Sequence, residues 1–320
     1  MIPTQPLPPS ISPEALMGKS KAFIRKALAA KASGDPADYQ LWASLALELL
    51  AKASLATIHP SLIVDVQKNP NAVLAAAGIE VSARVATIGA DAAYTRLKHT
   101  AAPRFNHGVY EACKGMAELR NAHLHSGELP FDGRIAADVW ESGFWHACEV
   151  VLESVDLNLD DWLGATDAQA TRALIAAAAE AKTAAAKKKI SESGAEFTKR
   201  VTKAKERERV IEESKHLRIS LYTASFKRPL DHHWLEKCPA CTAQAVVGGD
   251  QTYESLADDQ DYEEGGWELV DLGYAAEELQ CPTCGLQLRG EEALIAAGVD
   301  LEHVEQEERE IEYEPDYGND

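Results

Sequence analysis

Hydrophobic residues recur at helical spacing along the first two thirds of the chain, and the breaks between the runs are sharp. After a proline-rich opening, MIPTQPLPPS, which reads as a disordered arm, a basic and partly apolar helix is expected from about residue 13 to 32. Asp35 then offers a cap, Pro36 suits the first helical position and Asp38 sits in the first turn. The helix that follows places Leu41, Leu45, Leu49, Ala53 and Ala56 on one face, widened by Trp42 and Ala46, and stops before Pro60. So broad an apolar side calls for burial in a bundle. Residues 60–79 read as a connection. Two more helices are expected at about 80–98 and 106–126, with Gly127 ending the second. A fourth is expected at about 134–156. There Trp140, Phe144, Ala147, Cys148 and Val151 share one face, and Ile135, Val139 and Val150 share another.

From residue 166 to about 216 the helical pattern continues with hardly a break, but its apolar positions thin to Ile190, Phe197, Val201, Ala204 and Ile211. That narrow seam predicts a long exposed linking helix or helical hairpin, weakly coiled-coil-like, with Gly194 as a bend. Residues 217–223, LRISLYT, read as a strand. Beyond His232 and His233 the pattern turns β-like, with strands expected near 243–247, 267–274 and 286–289. The end of the chain, EQEEREIEYEPDYGND, reads as disordered. The fold class is therefore mainly α, closed by a small β-rich module. The expected divisions are an arm and helix at 1–34, a bundle at 35–163, a basic linker helix at 164–229, the β module at 230–298 and an acidic tail at 299–320.

Charge sharpens this division. The net charge of -19 repels nucleic acid on average, yet it is segregated. Residues 182–228 hold 14 Lys/Arg against 6 Asp/Glu, and Lys187, Lys188, Lys189, Lys199, Arg200 and Lys203 are candidate contacts to a polyanion. Residues 250–278 hold 11 acids and no Lys or Arg. Apolar runs fall well short of the ~20 residues that span a bilayer, and the opening lacks the pattern of a secretory leader, so a cytoplasmic protein is expected.

Six cysteines bring in chemistry. Cys113 and Cys148 lie on apolar helical stripes and read as small core residues. The other four form two pairs, Cys238/Cys241 in CPAC and Cys281/Cys284 in CPTCG. Each pair sets two thiolates on a tight turn, and two such knuckles complete a tetrahedral, structural Zn²⁺ site. With its flanking strands the module resembles a zinc ribbon. Four cysteines already fill the coordination shell, so a zinc-dependent hydrolase is disfavoured. The acidic insert between the knuckles favours a basic protein partner over phosphate.

Residues 118–128 read ELRNAHLHSGE. As plain helix chemistry, Arg120 and His125 are cations near a C-terminus, where the dipole favours them. But Arg120 falls on the stripe of Val109, Cys113, Met116 and Leu124, where a guanidinium needs an anion or an interface. The order Arg120, Asn121, three residues, His125, within amphipathic helices, resembles the RNxxxH motif of the HEPN family (higher eukaryotes and prokaryotes nucleotide-binding). LELLAKASLA resembles that family's first helix, and the resemblance covers about residues 37–157. It implies a dimeric, metal-independent ribonuclease. His125 would carry proton transfer and Arg120 would stabilise the phosphate, with Asn121 orienting the imidazole or holding phosphate. Glu118 would fix the tautomer of His125, and His123 is the alternative histidine. On an ideal helix Arg120 and His125 are about 140° apart, so they converge only if the helix loosens or if two subunits share the site. The resemblance also implies a toxin or phage-defence role, with RNA as substrate and an antitoxin as a possible partner. A non-catalytic dimeric adaptor, docking a partner through its ribbon, is the alternative.

Overall fold

The first two helices begin where their capping residues stand. A computed structural model describes residues 6–81, 84–131, 137–257 and 267–310. Helix α1 (Pro13–Ser33) is capped by Ser12, whose hydroxyl accepts from Ala15 N at 3.2 Å. Helix α2 (Pro36–Ile58) is capped by Asp35, which accepts from the amides of Ala37 and Asp38 at 3.1 and 3.0 Å. The chain divides into two compact units, Met1–Ala179 and Glu180–Asp320.

In the first unit α2 is the central helix, packed against α1 and, further on, α4 (Ala90–Thr100), α5 (His107–His125) and α6 (Ala137–Glu153). Its deepest residues are Ala43, Ala46, Leu47, Leu50 and Ala51, whereas Leu41, Leu45 and Leu49 of the expected face are only half-buried. A helix apolar on nearly all sides has no unique inner face, and small residues decide where neighbours approach. Contrary to the expectation that no apolar run approaches a bilayer span, a stretch of α2 is long and apolar enough to cross one, because alanines between its leucines keep it continuously apolar; 61% of that window is buried inside the unit.

The expected connection at 60–79 holds a 3-10 turn, Pro60–Ile63, and the short helix α3 (Ala72–Ala76). Helix α4 starts ten residues later than expected, because Ile88 N bonds to Ile63 O and Val64 bridges Thr87 in extended backbone. Ser126, rather than Gly127, closes α5: its amide and hydroxyl both return to Ala122 O, at 3.0 and 2.7 Å. On α6, Phe144, Trp145, Cys148 and Val151 are buried while Val139 is exposed; Ile135 lies outside the described residues. Polar atoms in this core are matched. Trp162 Nε1, on α7 (Leu159–Leu163), donates to Ser20 Oγ, which donates to Ala46 O.

Helix α8 (Ala165–Arg200) runs from the first unit into the second, followed by α9 (Ala204–Ser214). Apart from Ala204, which is exposed, the seam expected to face solvent is covered. Ala186 and Phe197 are buried in the core of the second unit, with Ile190, Val201 and Ile211 packed on it. Gly194 does not break α8. A Cβ there would stand 2.8 Å from Ala240 O, so the glycine allows helix and knuckle to touch. Residues 217–223 form no strand; the 3-10 turns Ile219–Leu221 and Thr223–Ser225 stand there, with Leu221 N bonded to Arg218 O and Tyr222 N to Ile219 O.

The sheet of the second unit is antiparallel, in the order β1 (His232–Lys237), β2 (Gln244–Leu256), β3 (Trp267–Gln280), β4 (Gln287–Arg289). Helix α10 (Glu291–Ala297) follows, and then β5 (Glu302–Glu310), which pairs with β3 from Ala275↔Glu302 to Trp267↔Glu310. This corrects the expectation of disorder from residue 299. Backbone pairing organises the acidic segment, and Arg309 bridges Glu254 and Glu268. Residues 311–320 of that tail, and 258–266 at the centre of the acid cluster, lie outside the described residues.

Candidate functional site

The two knuckles are built alike. Cys238 N bonds to Ala243 O at 2.8 Å and Thr242 N to Cys238 O at 3.0 Å; Cys281 N bonds to Leu286 O and Gly285 N to Cys281 O, both at 2.8 Å. The residue after each second cysteine takes positive φ, 64° at Thr242 and 82° at Gly285, which turns the chain sharply enough to aim both sulfurs inward. Strands β1–β2 and β3–β4 hold the knuckles against each other. Sγ of Cys238 lies 3.6 Å from Cys284, and Cys241 lies 3.6 Å from Cys281. All four sulfurs fall within 4.8 Å of one another, and all four residues are buried.

These distances discriminate between chemistries. A disulfide needs sulfurs ~2.05 Å apart. A tetrahedral ion with ~2.3 Å bonds to sulfur needs edges of about 3.8 Å, close to those observed. Packed this closely, the sulfurs cannot all be thiolates unaided. Hydrogen bonds from Cys241, Cys281 and Cys284 push the Cys238 thiol down, while the same contact with Cys238 pushes Cys281 up. A divalent cation removes that conflict. The cluster thus has the geometry of a closed four-cysteine metal site, in which the ion would hold the two halves of the sheet together.

Cys113 and Cys148 are buried in the first unit, and burial raises both thiols. They are core residues, as expected.

At the end of α5 the structure separates residues that the motif groups together. Arg120 is buried, at 7% exposure, and its anion lies within the chain: Nη1 pairs with Glu48 on α2. Glu48 also takes Lys52 Nζ at 2.6 Å. Burial alone would raise the Glu48 carboxyl, but Lys52 and Arg120 outweigh it and hold the group below the usual glutamate value. Arg120 Nη2 and Nε donate to Asn121 Oδ1 at 2.9 and 3.3 Å, which turns Asn121 toward the guanidinium rather than toward His125. Leu124, expected on the buried stripe, is 49% exposed.

His125 is exposed and, among the described residues, makes no hydrogen bond or ion pair; Glu118 is exposed and does not reach it. His123 differs. Its ring lies 5.1 Å from that of Phe131, and its Nδ1 is enclosed without a partner. The α-helix continues through His125, so it does not loosen to bring that residue to Arg120. Glu48 and Lys52 did not stand out in the sequence. The available signal was an i,i+4 acid–base pair inside an otherwise apolar helix.

In the basic stretch, Lys187, Lys188, Lys189, Lys199 and Lys203 are exposed on or beside α8. Arg200 is partly committed, since its guanidinium donates to Thr283 O in the second knuckle.

Compared with protein-family models, curated proteins and solved structures, the chain matches none.

Proposed function

We propose that the chain is a metal-independent endoribonuclease of HEPN type, acting as a homodimer, with a structural Zn²⁺ in its four-cysteine site. The reading rests on the RNxxxH resemblance. The observation that supports it most directly is the division of roles on α5: Arg120 is anchored by a half-buried carboxylate, while His125 is exposed and has no hydrogen-bond or ion-pair partner among the described residues. An arginine fixed through Nη1 still carries N–H groups on Nη2 and Nε, and among the described residues these are held only by the exposed Asn121. Two phosphate oxygens can take that place through charge-assisted bonds as negative charge builds at phosphorus. His125 removes the 2′-hydroxyl proton or protonates the leaving 5′-oxygen, since imidazole carries one nitrogen that can accept a proton and one that can donate it. Because α5 stays helical, the site is completed by pairing Arg120 of one protomer with His125 of the other. Exposed lysines of residues 187–203 hold the RNA backbone. A cytoplasmic toxin or defence effector, restrained by an antitoxin, fits this activity.

One observation favours a second reading. Arg120, Glu48 and Lys52 satisfy one another within a single chain, as a purely structural ion pair would. On that reading the chain is a non-catalytic dimeric adaptor whose ribbon docks a basic protein.

Cleavage assays decide between them. The nuclease should cut RNA with no Mg²⁺ or other divalent ion added beyond its structural one, leave DNA intact and produce 2′,3′-cyclic phosphate ends, because the internal 2′-hydroxyl is the nucleophile. His125→Ala should slow cutting by ~10² to 10⁴-fold with an unchanged circular dichroism spectrum, whereas His123→Ala should retain activity. Wild-type rates in His125→Ala would transfer the role to another group. Wild-type protein that cuts no RNA would leave the adaptor standing.

A further inference from the structure

The second unit brings three more ligand-bearing side chains to one point, away from the cysteines in sequence. His232 opens β1, and His303 and Glu305 lie two apart on β5, so the latter pair share a face. Strands β1 and β5 are not neighbours. Both β2 and β3 separate them in the sheet order. Yet the rings of His232 and His303 stand 6.1 Å apart, because the sheet curls. The β2–β3 register shifts twice along this stretch, between Gly248 and Gly249 and between Gln251 and Tyr253. A Cβ on Gly249 would lie 2.3 Å from Ala275 O, so only glycine permits this approach.

The imidazoles are held by aromatic neighbours. His303 stacks on Trp234, with centroids 4.4 Å apart and planes within 4°, and His232 stacks on Tyr274 at 4.5 Å. Both Nε2 atoms point at the same carboxylate oxygen. His232 Nε2 is 3.1 Å from Glu305 Oε1, and His303 Nε2 is 3.2 Å from it. The His232 nitrogen is nevertheless enclosed and out of line for a hydrogen bond, which leaves its bonding capacity unused. Donors ~2.0–2.2 Å from one ion, at angles between octahedral and tetrahedral, lie about 3.0–3.5 Å apart. The observed spacings fall in that range. Ring positions locked by stacking are also what a preformed metal site needs.

We propose that His232, His303 and Glu305 form a second metal site, which takes a divalent transition ion of zinc's class and leaves a position for water. Two imidazoles and a carboxylate are borderline and hard donors, suited to Zn²⁺, Co²⁺ or Ni²⁺. The set differs in kind from the four buried thiolates, which fill a tetrahedron completely. Glu302, Glu307 and Glu308 on the same strand add negative potential that gathers cations.

Equilibrium dialysis of the full chain against Zn²⁺ tests this. The native chain should bind two equivalents, and Glu305→Gln and His303→Asn should each weaken the second by more than about tenfold, the loss expected from removing even a supporting group. Glu305→Gln keeps the shape and both aromatic stacks, so it decides the matter if His303→Asn disturbs the fold by near-ultraviolet circular dichroism. Co²⁺ added to protein already carrying one Zn²⁺ should give d–d bands without thiolate charge transfer. A native chain that saturates at one equivalent would overturn the proposal and leave an ordinary His–Glu ion pair. So would a second equivalent unchanged in Glu305→Gln, or one whose Co²⁺ spectrum shows thiolate bands.

Discussion

At the scale of single residues, the fate of Arg120 turns on Glu48. A charged group on an apolar stripe is tolerated only with a counter-charge, and a carboxylate removed from water needs one equally. Glu48 meets both Arg120 and Lys52, and its carboxyl is held low despite the burial that opposes ionisation. A depressed folded-state value stabilises the fold at every pH above the unfolded glutamate range, and this contribution fades as pH falls through the folded value. Glu48→Gln should therefore cost about 3 kcal/mol at neutral pH, because two buried cations lose their anion. The difference from wild type should shrink on acidification, and urea unfolding at neutral and acidic pH measures both effects. A cost that does not depend on pH would mean that Glu48 acts through packing rather than charge. Arg120 was legible in the sequence as a misfit; its partner was not, since the pairing joins residues 72 positions apart on different helices.

At the scale of elements, local signals proved legible and tertiary ones did not. Asp35 and Pro36 start α2 because a cap works within four residues, and CPAC and CPTCG mark knuckles because each turn carries both ligands. The start of α4 and the pairing of β5 depend on segments far away in the chain: the first falls ten residues beyond the expected start, and the second orders a segment that reads as disordered. Gly194 shows why. Within a helical run it reads as a bend, but its role appears only when Ala240 is beside it. Alanine is the better helix former by ~1 kcal/mol, so Gly194→Ala would stabilise an exposed linker. Against the knuckle its Cβ would press on a backbone oxygen at 2.8 Å, and overpacking of this kind costs typically ~1–3 kcal/mol. The variant should thus melt earlier and release its metal faster to a chromogenic chelator. A raised melting temperature would mean that α8 does not rest on the knuckle.

At the scale of the whole molecule, the two units are stabilised by different physics. The first has a core of some forty buried apolar residues, among them Trp145, Trp162, Phe144 and Leu47, and contains none of the four clustered cysteines. The second has a smaller core, and Cys238, Cys241, Cys281 and Cys284 are members of it beside Trp234, Val247, Leu279 and Leu286. Removing the ion from such a site leaves four sulfurs in mutual contact and the β1–β2 and β3–β4 turns without their common anchor. Structural zinc contributes an apparent ~10–16 kcal/mol in small metal-dependent domains, comparable to or larger than the whole stability of an ordinary domain. A strong chelator should therefore unfold the second unit while the first remains folded. Calorimetry of the full chain should show two transitions, of which one disappears on chelation and returns with added Zn²⁺. Acid should act in the same direction, because protons compete with the ion for thiolate. Helical circular dichroism should survive in large part, since α1, α2, α4, α5 and α6 belong to the unit that holds none of the four clustered cysteines. A chelated protein that keeps both transitions would show that packing alone sustains the sheet. One that loses both would show that the first unit depends on the second.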